Sequence, residues 1–250
     1  MEDVRKLHNL AKRHLIQETT HPGFRVLDVG CGFGGDLQKW SHAGQGNIKI
    51  DMCDPSKEAI AEAKTRAKGL NMNNVRFYEG DISACPRFKY DIICFNFSMQ
   101  YIFKSQGLFM QTLNHIRTRL KKGGKLIGSI PDSEKIIMLQ NGCFEDNLGN
   151  YMRRNTRQTG YGNFGEEIHM YLADTPYYKD GKSIPEPIAY KDLLVTYLEE
   201  MDILLDVWQP LIGHKEELFS ATDNGWGAVL DSENCPELSK LYSQFIFISK

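Results

Sequence analysis

The stretch Arg25-Val26-Leu27-Asp28-Val29-Gly30-Cys31-Gly32-Phe33-Gly34-Gly35-Asp36 constrains this chain more than any other. Val26, Leu27 and Val29 suit a short buried parallel strand. The glycines that follow permit a tight turn and let a ligand approach the main chain. Asp36-Leu37 then opens a helix. The rest of the chain reads as a scaffold that brings two further acids and a second pocket to this turn.

The segments downstream alternate in period. Strand-like runs at 48–53, 75–78, 90–96 and 125–130 are separated by helical patterns at 57–68 and 109–120. Asp54-Pro55-Ser56 follows the second strand, and Asp54 is expected to cap the next helix. Lys121-Lys122-Gly123-Gly124 reads as the stop of the helix at 109–120, and Pro131 ends the fifth strand. Alternation with short connections means βαβ units and a mostly parallel, Rossmann-like sheet of seven strands with helices on both faces. An amphipathic helix at 4–18, with a basic flank from Lys6, Lys12 and Arg13, precedes it. The whole chain is expected to form one α/β domain.

The pattern breaks after the fifth strand, between about 140 and 187. That segment carries Tyr151, Tyr161, Tyr171, Tyr177 and Tyr178 with Arg153, Arg154 and Arg157 among them. It reads as an insertion with its own short strands, one at 167–172. A helix at 190–201 resumes the pattern, with strands at 203–208 and 243–249. Between them lies a loop holding Asp223-Asn224-Gly225-Trp226-Gly227.

Composition excludes some classes. A net charge of −2 does not announce nucleic-acid binding, although a balanced total says nothing about distribution. Cys31, Cys53, Cys85, Cys94, Cys143 and Cys235 form no C-x-x-C pair, so no metal knuckle is expected and the thiols read as buried and reduced. No apolar run approaches the ~20 residues that span a bilayer, which points to an intracellular protein with no membrane partner.

Ligands of parallel sheets bind beyond the strand C-terminal ends, where Asp28, Asp54, Asp81 and Asn96 are expected. Gly30-x-Gly32-x-x-Gly35 fits a dinucleotide fingerprint, with Asp54 at a plausible distance for a ribose acid. The same letters fit the turn of S-adenosylmethionine-dependent methyltransferases. A dinucleotide would place its pyrophosphate at the helix N-terminus, where Asp28 and Asp36 would repel it. S-adenosylmethionine carries an ammonium and a sulfonium instead, both favoured by carboxylates. Asp54 would accept from the ribose hydroxyls, and Asp81 from the adenine amino group with Ile82 against the ring.

Several segments resemble the mRNA cap guanine-N7 methyltransferases. Val26 to Leu37, with its Gly34-Gly35-Asp36-Leu37 exit, is similar to that family's first motif. Asn96-Phe97-Ser98-Met99-Gln100-Tyr101 resembles the segment that supplies the cap-guanine pocket. Phe164 to Ile168, Pro185-Glu186, Leu241 to Phe245 and His8 to Lys12 resemble further family segments. The resemblance implies the methyltransferase domain of a larger viral or eukaryotic capping enzyme, acting in the nucleus of a cell or the cytoplasm for a cytoplasmic virus. Capped RNA is the implied partner, with other capping domains or RNA polymerase alongside.

Residue by residue, the resemblance implies that Asn9 and Lys12 meet the methionine carboxylate, and that Asp28 and Gly30 serve the methionine end. Asp54 would take the ribose, and Asp81 with Ile82 the adenine. Asn96, Phe97, Ser98 and Tyr101 would border the cofactor. Phe97, Gln100, Tyr101, Pro131, Glu186 and Tyr242 would form the cap pocket. S-adenosylhomocysteine would be the product. No acid–base residue is needed, because guanine N7 is an unprotonated lone pair. Catalysis would come from positioning by Phe97, Tyr101 and Glu186, with the two rings favouring a cationic guanine.

Two positions depart from the family. Phe33 stands where a lysine is usual, and Gln100 where a histidine is common. Lys39, Lys57, Arg153, Arg154 and Arg157 are candidates for the missing charge at the cap triphosphate. Competing expectations are another RNA or small-molecule methyltransferase, or a non-catalytic subunit that keeps the fold.

Overall fold

The computed structural model describes residues 3–147, 149–155, 164–172, 182–211 and 237–250. Arg157, Tyr161, Tyr177, Tyr178, Cys235 and the 223–227 segment lie outside the described residues.

In chain order the elements are α1 (Asp3–Thr19), β1 (Arg25–Val29), α2 (Leu37–Ala43), β2 (Lys49–Asp54), α3 (Lys57–Gly69), β3 (Val75–Glu79), β4 (Tyr90–Asn96), α4 (Gln106–Arg119) and β5 (Leu120–Pro131). There follow α5 (Ser133–Ile137), β6 (Cys143–Glu145), β7 (Tyr151–Arg154), β8 (Glu167–Tyr171), β9 (Ile184–Pro187), α6 (Lys191–Glu199), β10 (Ile203–Pro210) and β11 (Tyr242–Ser249). The seven-stranded sheet runs β10-β11-β5-β4-β1-β2-β3. β1 pairs in parallel with both β2 and β4, and β11 enters antiparallel between β5 and β10.

Alternation along each strand sends side chains to two apolar layers. Leu27, Val29, Ile93, Phe95 and Leu126 pack with Phe109 and Leu113 of α4 and Leu194 and Leu198 of α6. Val26, Ile50, Met52, Ile92 and Ile127 face the other way, toward Leu15 and Ile16 of α1 and Leu37 and Trp40 of α2. A strand buried on both faces loses apolar area to water at every position, which is why these runs read as continuous rather than alternating.

β6–β9 form a second, antiparallel sheet between β5 and α6 in the chain. Its Met152, Ile168 and Met170 pack against Leu7 and Leu10 of α1 and against Tyr242 of β11. This layer carries Glu186 of β9 toward the end of β4. Among the described residues, no helix is long and apolar enough to cross a membrane.

Two local expectations fail. Ser56, not Asp54, caps α3, accepting from the Ala59 N–H at 3.1 Å. Lys121-Lys122-Gly123-Gly124 does not close α4 but lies within β5. The β4–β5 register jumps from Tyr90↔Leu120 to Ile92↔Lys125, so these four residues bulge from the ladder. Gly123 supplies the bend, with φ +73°.

Candidate active site

Sheet order places β4, β1, β2 and β3 side by side. The order reverses direction at β1, the usual position of a ligand crevice in such sheets. Asn96 and Asp54 are the last residues of their strands, Asp28 lies one from the end of β1, and Asp81 two beyond β3.

The glycine turn is tightly built. Gly30 has φ +73°, and a Cβ there would sit 2.4 Å from Ser98 Cβ. Ser98 presses on the turn because its hydroxyl donates to Val29 O at 2.6 Å. The Gly30 and Cys31 N–H groups donate to Cys53 O, tying the turn to β2. Asp54 Oδ2 accepts from Gly32 N at 2.9 Å and Oδ1 from Ser56 N at 2.8 Å. One oxygen therefore rests on a main-chain donor of the glycine turn and the other on the start of α3.

Asp81 accepts from the Ser83 N–H and hydroxyl, capping the 3-10 turn Ile82–Ala84. Ile82 is buried within the same core layer as Leu27, Val29 and Cys53. It supports the floor beside Asp81 rather than standing out as an exposed face.

Beneath the turn lies a charged cluster. Lys12 of α1 and Lys39 of α2 each approach Asp36 Oδ1 to 2.8 Å. Asn96 donates to Asp36 Oδ2 at 3.1 Å. The two ammonium groups outweigh desolvation and hold Asp36 below the usual carboxylate range. Asp28 is buried, with Oδ2 accepting from Trp40 Nε1 at 2.9 Å. Burial, and then the Asp36 charge, push Asp28 up to about 7. Lys39 is 7% exposed and donates to Asn9 Oδ1, Gly35 O and Asp36. That removes it from the candidates for the triphosphate, since its charge is committed inside the protein. Phe33 is half-buried in the turn above.

The other half of the site follows β4. Gln100 donates from Nε2 to Glu186 Oε2 at 3.0 Å and to Phe97 O at 3.1 Å. Tyr101 OH donates to Glu186 Oε1 at 3.3 Å. Burial raises the Glu186 pKa, and these two donors oppose the shift. Gln100 Oε1 is buried with no partner among the described residues. Reversing the amide would set that oxygen against a carboxylate and a carbonyl, so its orientation is fixed by its neighbours. Pro131 and Tyr242 are buried and paired in register across β5 and β11. Tyr242 OH donates to Met170 Sδ, which ties it to the second sheet.

Phe97 takes φ +56°, a conformation bulky residues rarely adopt. His8 stacks on its ring at 5.0 Å, Tyr242 meets it edge-on at 5.5 Å, and Lys12 Nζ lies 5.9 Å from its centroid. A ring so enclosed is a wall between the two half-sites. Tyr101, by contrast, is 45% exposed.

The sequence names Asp36, Lys39 and His8 but gives no sign of the contacts they make here. Spacing offers a signal for each: Asp36 and Lys39 are one helical turn apart, as are His8 and Lys12. Lys57 opens α3, three residues after Asp54, and Arg153 and Arg154 pair with Glu145 and Glu166.

Comparison with known proteins agrees with this geometry. Residues 2–211 match the mRNA (guanine-N(7))-methyltransferase domain family. An mRNA cap guanine-N(7) methyltransferase of Caenorhabditis elegans is 28% identical over 227 residues, covering 81% of this chain and 58% of the relative. The Saccharomyces cerevisiae protein of that name is 35% identical over 147 residues, covering 53% of this chain and 33% of the relative. The chain thus spans less than two thirds of either relative. Among solved structures, the CcbJ methyltransferase of Streptomyces caelestis superposes with TM-score 0.61 at 12% identity, covering 96% of this chain and 89% of that one. A likeness so remote in sequence speaks for the fold. The match over residues 2–211, carried on this sheet and this glycine turn, shows that the chain belongs to the mRNA (guanine-N(7))-methyltransferase domain family.

Proposed function

We propose that this chain transfers the methyl group of S-adenosylmethionine to N7 of the guanosine cap of RNA. The observation that carries the reading is Glu186, a buried carboxylate held 3.0 Å from Gln100 and 3.3 Å from Tyr101 at the end of β4. Guanine presents adjacent N1–H and N2–H donors, and a carboxylate accepts from both; adenine has an acceptor at N1. The unpaired Gln100 Oε1 adds an acceptor to a pocket meant for a donor-rich edge.

The cofactor fits the other half by the chemistry of its donors and acceptors. Asp28 suits the methionine ammonium, Lys12 and Asn9 the carboxylate, Asp54 the ribose hydroxyls and Asp81 the adenine amino group. Gly30 gives the backbone close approach, and Asn96, Ser98 and the Phe97 wall border the cofactor. When bound, S-adenosylmethionine supplies an electrophilic methyl group.

This chain's residues do the positioning. Glu186, Gln100, Pro131 and Tyr242 orient the guanine so that N7 points past the edge of the Phe97 ring toward the glycine turn, with Tyr101 as the exposed ring. A near-attack separation of roughly 3–3.5 Å is the main source of rate. Positive charge moves from sulfur to the base during transfer, and the Glu186 carboxylate favours its arrival. No residue needs to act as a general base. Acting on a capped transcript would set the chain inside the cell, in the nucleus or in the cytoplasm of a virus-infected cell, beside other capping domains or RNA polymerase.

Labelled methyl transfer to GpppG-capped RNA, followed by digestion, tests this. Label is expected in 7-methylguanosine. Label in a ribose, or transfer to uncapped RNA at the same rate, overturns the assignment.

A further inference from the structure

Charge is segregated along the strands of the main sheet. The acids of the candidate site lie at strand C-terminal ends, while cations gather where the same strands begin. Arg25 opens β1, Lys49 opens β2 beside it in register, and Arg76 is second in β3. Arg87 and Lys89 lead into β4, and Lys121, Lys122 and Lys125 belong to the β5 bulge and its exit. Asp51 and Asp91 are the acids of these segments. Asp51 holds Arg25 and Arg76, and Asp91 holds Lys121 at 2.7 Å. Lys89 donates to Leu120 O. Among the described residues, Lys49, Arg87, Lys122 and Lys125 pair with no carboxylate. Glu18 turns to His14, and Glu199, Glu200 and Asp202 belong to the passage from α6 into β10, at the far edge of the sheet. Basic residues in the last turns of α3 and α4 also lie at this end, where they complement helix carbonyls. Cations borne on strand starts have no such duty. A chain of net charge −2 thus concentrates positive charge at one end.

The charged end also has a cleft and rings. Lys121, Lys122 and Lys125, with His21, Phe24 and the paired Asp91, line a hollow of about 170 Å³. His21 meets Phe24 edge-on at 5.2 Å, and exposed Phe88 carries Arg25 and Arg76 on its ring. Cations interleaved with rings suit single-stranded nucleic acid; an acidic peptide needs only the cations. We propose that this end of the sheet is a second contact for RNA, taking the ribose-phosphate chain behind the cap without regard to sequence. β5 carries both Lys125 and Pro131 of the proposed cap pocket, about 20 Å apart at the rise of a strand. Even at the stacked spacing of about 3.4 Å per nucleotide, roughly 15 nucleotides cover about 50 Å, enough to pass from one end of the sheet to the other. The link to the cap rests on the methyl-transfer reading; binding of the RNA chain does not.

Fluorescence anisotropy of the full chain with an uncapped, labelled single-stranded RNA of about 20 nucleotides, longer than one single-strand site, tests the contact directly. The double variant Lys122→Glu, Lys125→Glu should weaken this RNA at least tenfold. Loss of two phosphate contacts should also lower the slope of log affinity on log salt by about 1.4. Lys64→Glu, in the middle of α3, controls for net charge and should change affinity less than twofold. S-adenosylhomocysteine affinity by calorimetry should stay within twofold in every variant, which reports an intact fold; Lys122→Gln, Lys125→Gln serves if the charge reversal folds poorly. Wild type that fails to bind the RNA, or a double variant that binds it as wild type does, overturns the proposal. So does polyglutamate of equal charge that displaces the RNA at an equal or lower concentration, which would assign this end to an acidic polypeptide. The kinetic arm compares the dinucleotide GpppG with capped RNA of the same length. The double variant should raise KM for the capped RNA at least fivefold and leave kcat and the KM for GpppG unchanged; equal effects on both substrates overturn the link to the cap. If neither substrate is methylated by wild type, the methyl-transfer reading fails and the anisotropy alone decides whether RNA binds here.

Discussion

Asp51 and Asp36 are both buried carboxylates, and the groups around them differ in kind. Asp51, in the middle of β2 and 1% exposed, takes Arg76 in a two-pronged pair at 2.7 and 2.8 Å, Tyr90 OH at 2.9 Å and Tyr78 OH at 3.4 Å. Arg25 lies 3.6 Å away, and both guanidiniums cover the Phe88 ring at 4.4 and 4.9 Å. Every approach to that carboxylate is filled by a rigid planar or ring donor. Asp36, beside the glycine turn, takes two lysines and an asparagine. Burial of an acid is thus no sign of function by itself. What separates the two is where they sit: Asp51 is walled in by planar donors in the middle of β2, while Asp36 lies beside the glycine turn at the strand ends.

The largest effect expected from this contrast is on stability. Asp51→Asn should lower the unfolding free energy by about 3 kcal/mol, the low end for a broken buried pair, because half-exposed Arg76 can return to water. Urea denaturation reads it as a lower midpoint with unchanged slope. Affinity of the folded variant for S-adenosylhomocysteine should stay within twofold; a large loss there would erase the distinction between the two clusters.

Asp54, three residues further along the same strand, should behave the opposite way. Asp54→Ala should weaken S-adenosylhomocysteine by about 2 kcal/mol, near thirtyfold, as expected for lost hydrogen bonds to a charged group. Calorimetry measures it. An unchanged affinity would mean that Asp54 serves only Gly32 N and Ser56 N, as a second structural acid.

Much of this arrangement was legible in the residues, and the gaps have physical causes. The parallel sheet shows because strands buried on both faces must be apolar throughout, as in Ile92 to Phe95. The glycine turn shows because Gly30 has no substitute beside Ser98. Asp54 does not cap α3 because its oxygens take Gly32 N and Ser56 N, which leaves the Ala59 N–H to Ser56. The 121–124 bulge was misjudged because Lys-Lys-Gly-Gly is equally a helix stop and a strand interruption. Of the second sheet only β8 was marked out as a strand, since β6, β7 and β9 run three or four residues and β9 carries two prolines. Lys39 reads from the sequence as a candidate for the cap triphosphate and not as a buried partner of Asp36, because a lysine in an amphipathic helix is ordinarily solvated. Its burial depends on Asp36 turning inward instead of capping α2.

On the cap side the expected effect is smaller and falls on rate. Glu186→Gln keeps the shape and one acceptor but loses the charge that guanine N1–H and N2–H would share. It should lower methylation of capped RNA at least tenfold, about 1.4 kcal/mol in the barrier. The melting temperature should hold or rise, since a desolvated carboxylate is being neutralised. Lost stability with unchanged rate would make Glu186 the counterpart of Asp51 instead.

The smallest effect concerns His8, which lies on the Lys12 face of α1 yet is closed off in the manner of Asp51. Its ring sits between Phe97 and Tyr242, with Nε2 3.1 Å from Ser239 Oγ. Burial, and then the Lys12 charge, lower its pKa from 6.5 to about 3. The folded protein therefore keeps His8 neutral, while the unfolded chain takes up its proton below about pH 6.5. Stability is full above that value and declines as pH falls toward 3. Between pH 7.5 and pH 6 this one residue should remove about 0.8 kcal/mol. His8→Phe retains the ring stack without the titration, so its loss over that interval should be smaller than wild type by that amount. Other histidines cancel in the subtraction. Parallel curves for the two proteins would show that His8 takes its proton in place, and the Phe97 wall would then carry a cation beside Lys12. A flatter curve for His8→Phe than for wild type would mean that the wall is held by an uncharged ring.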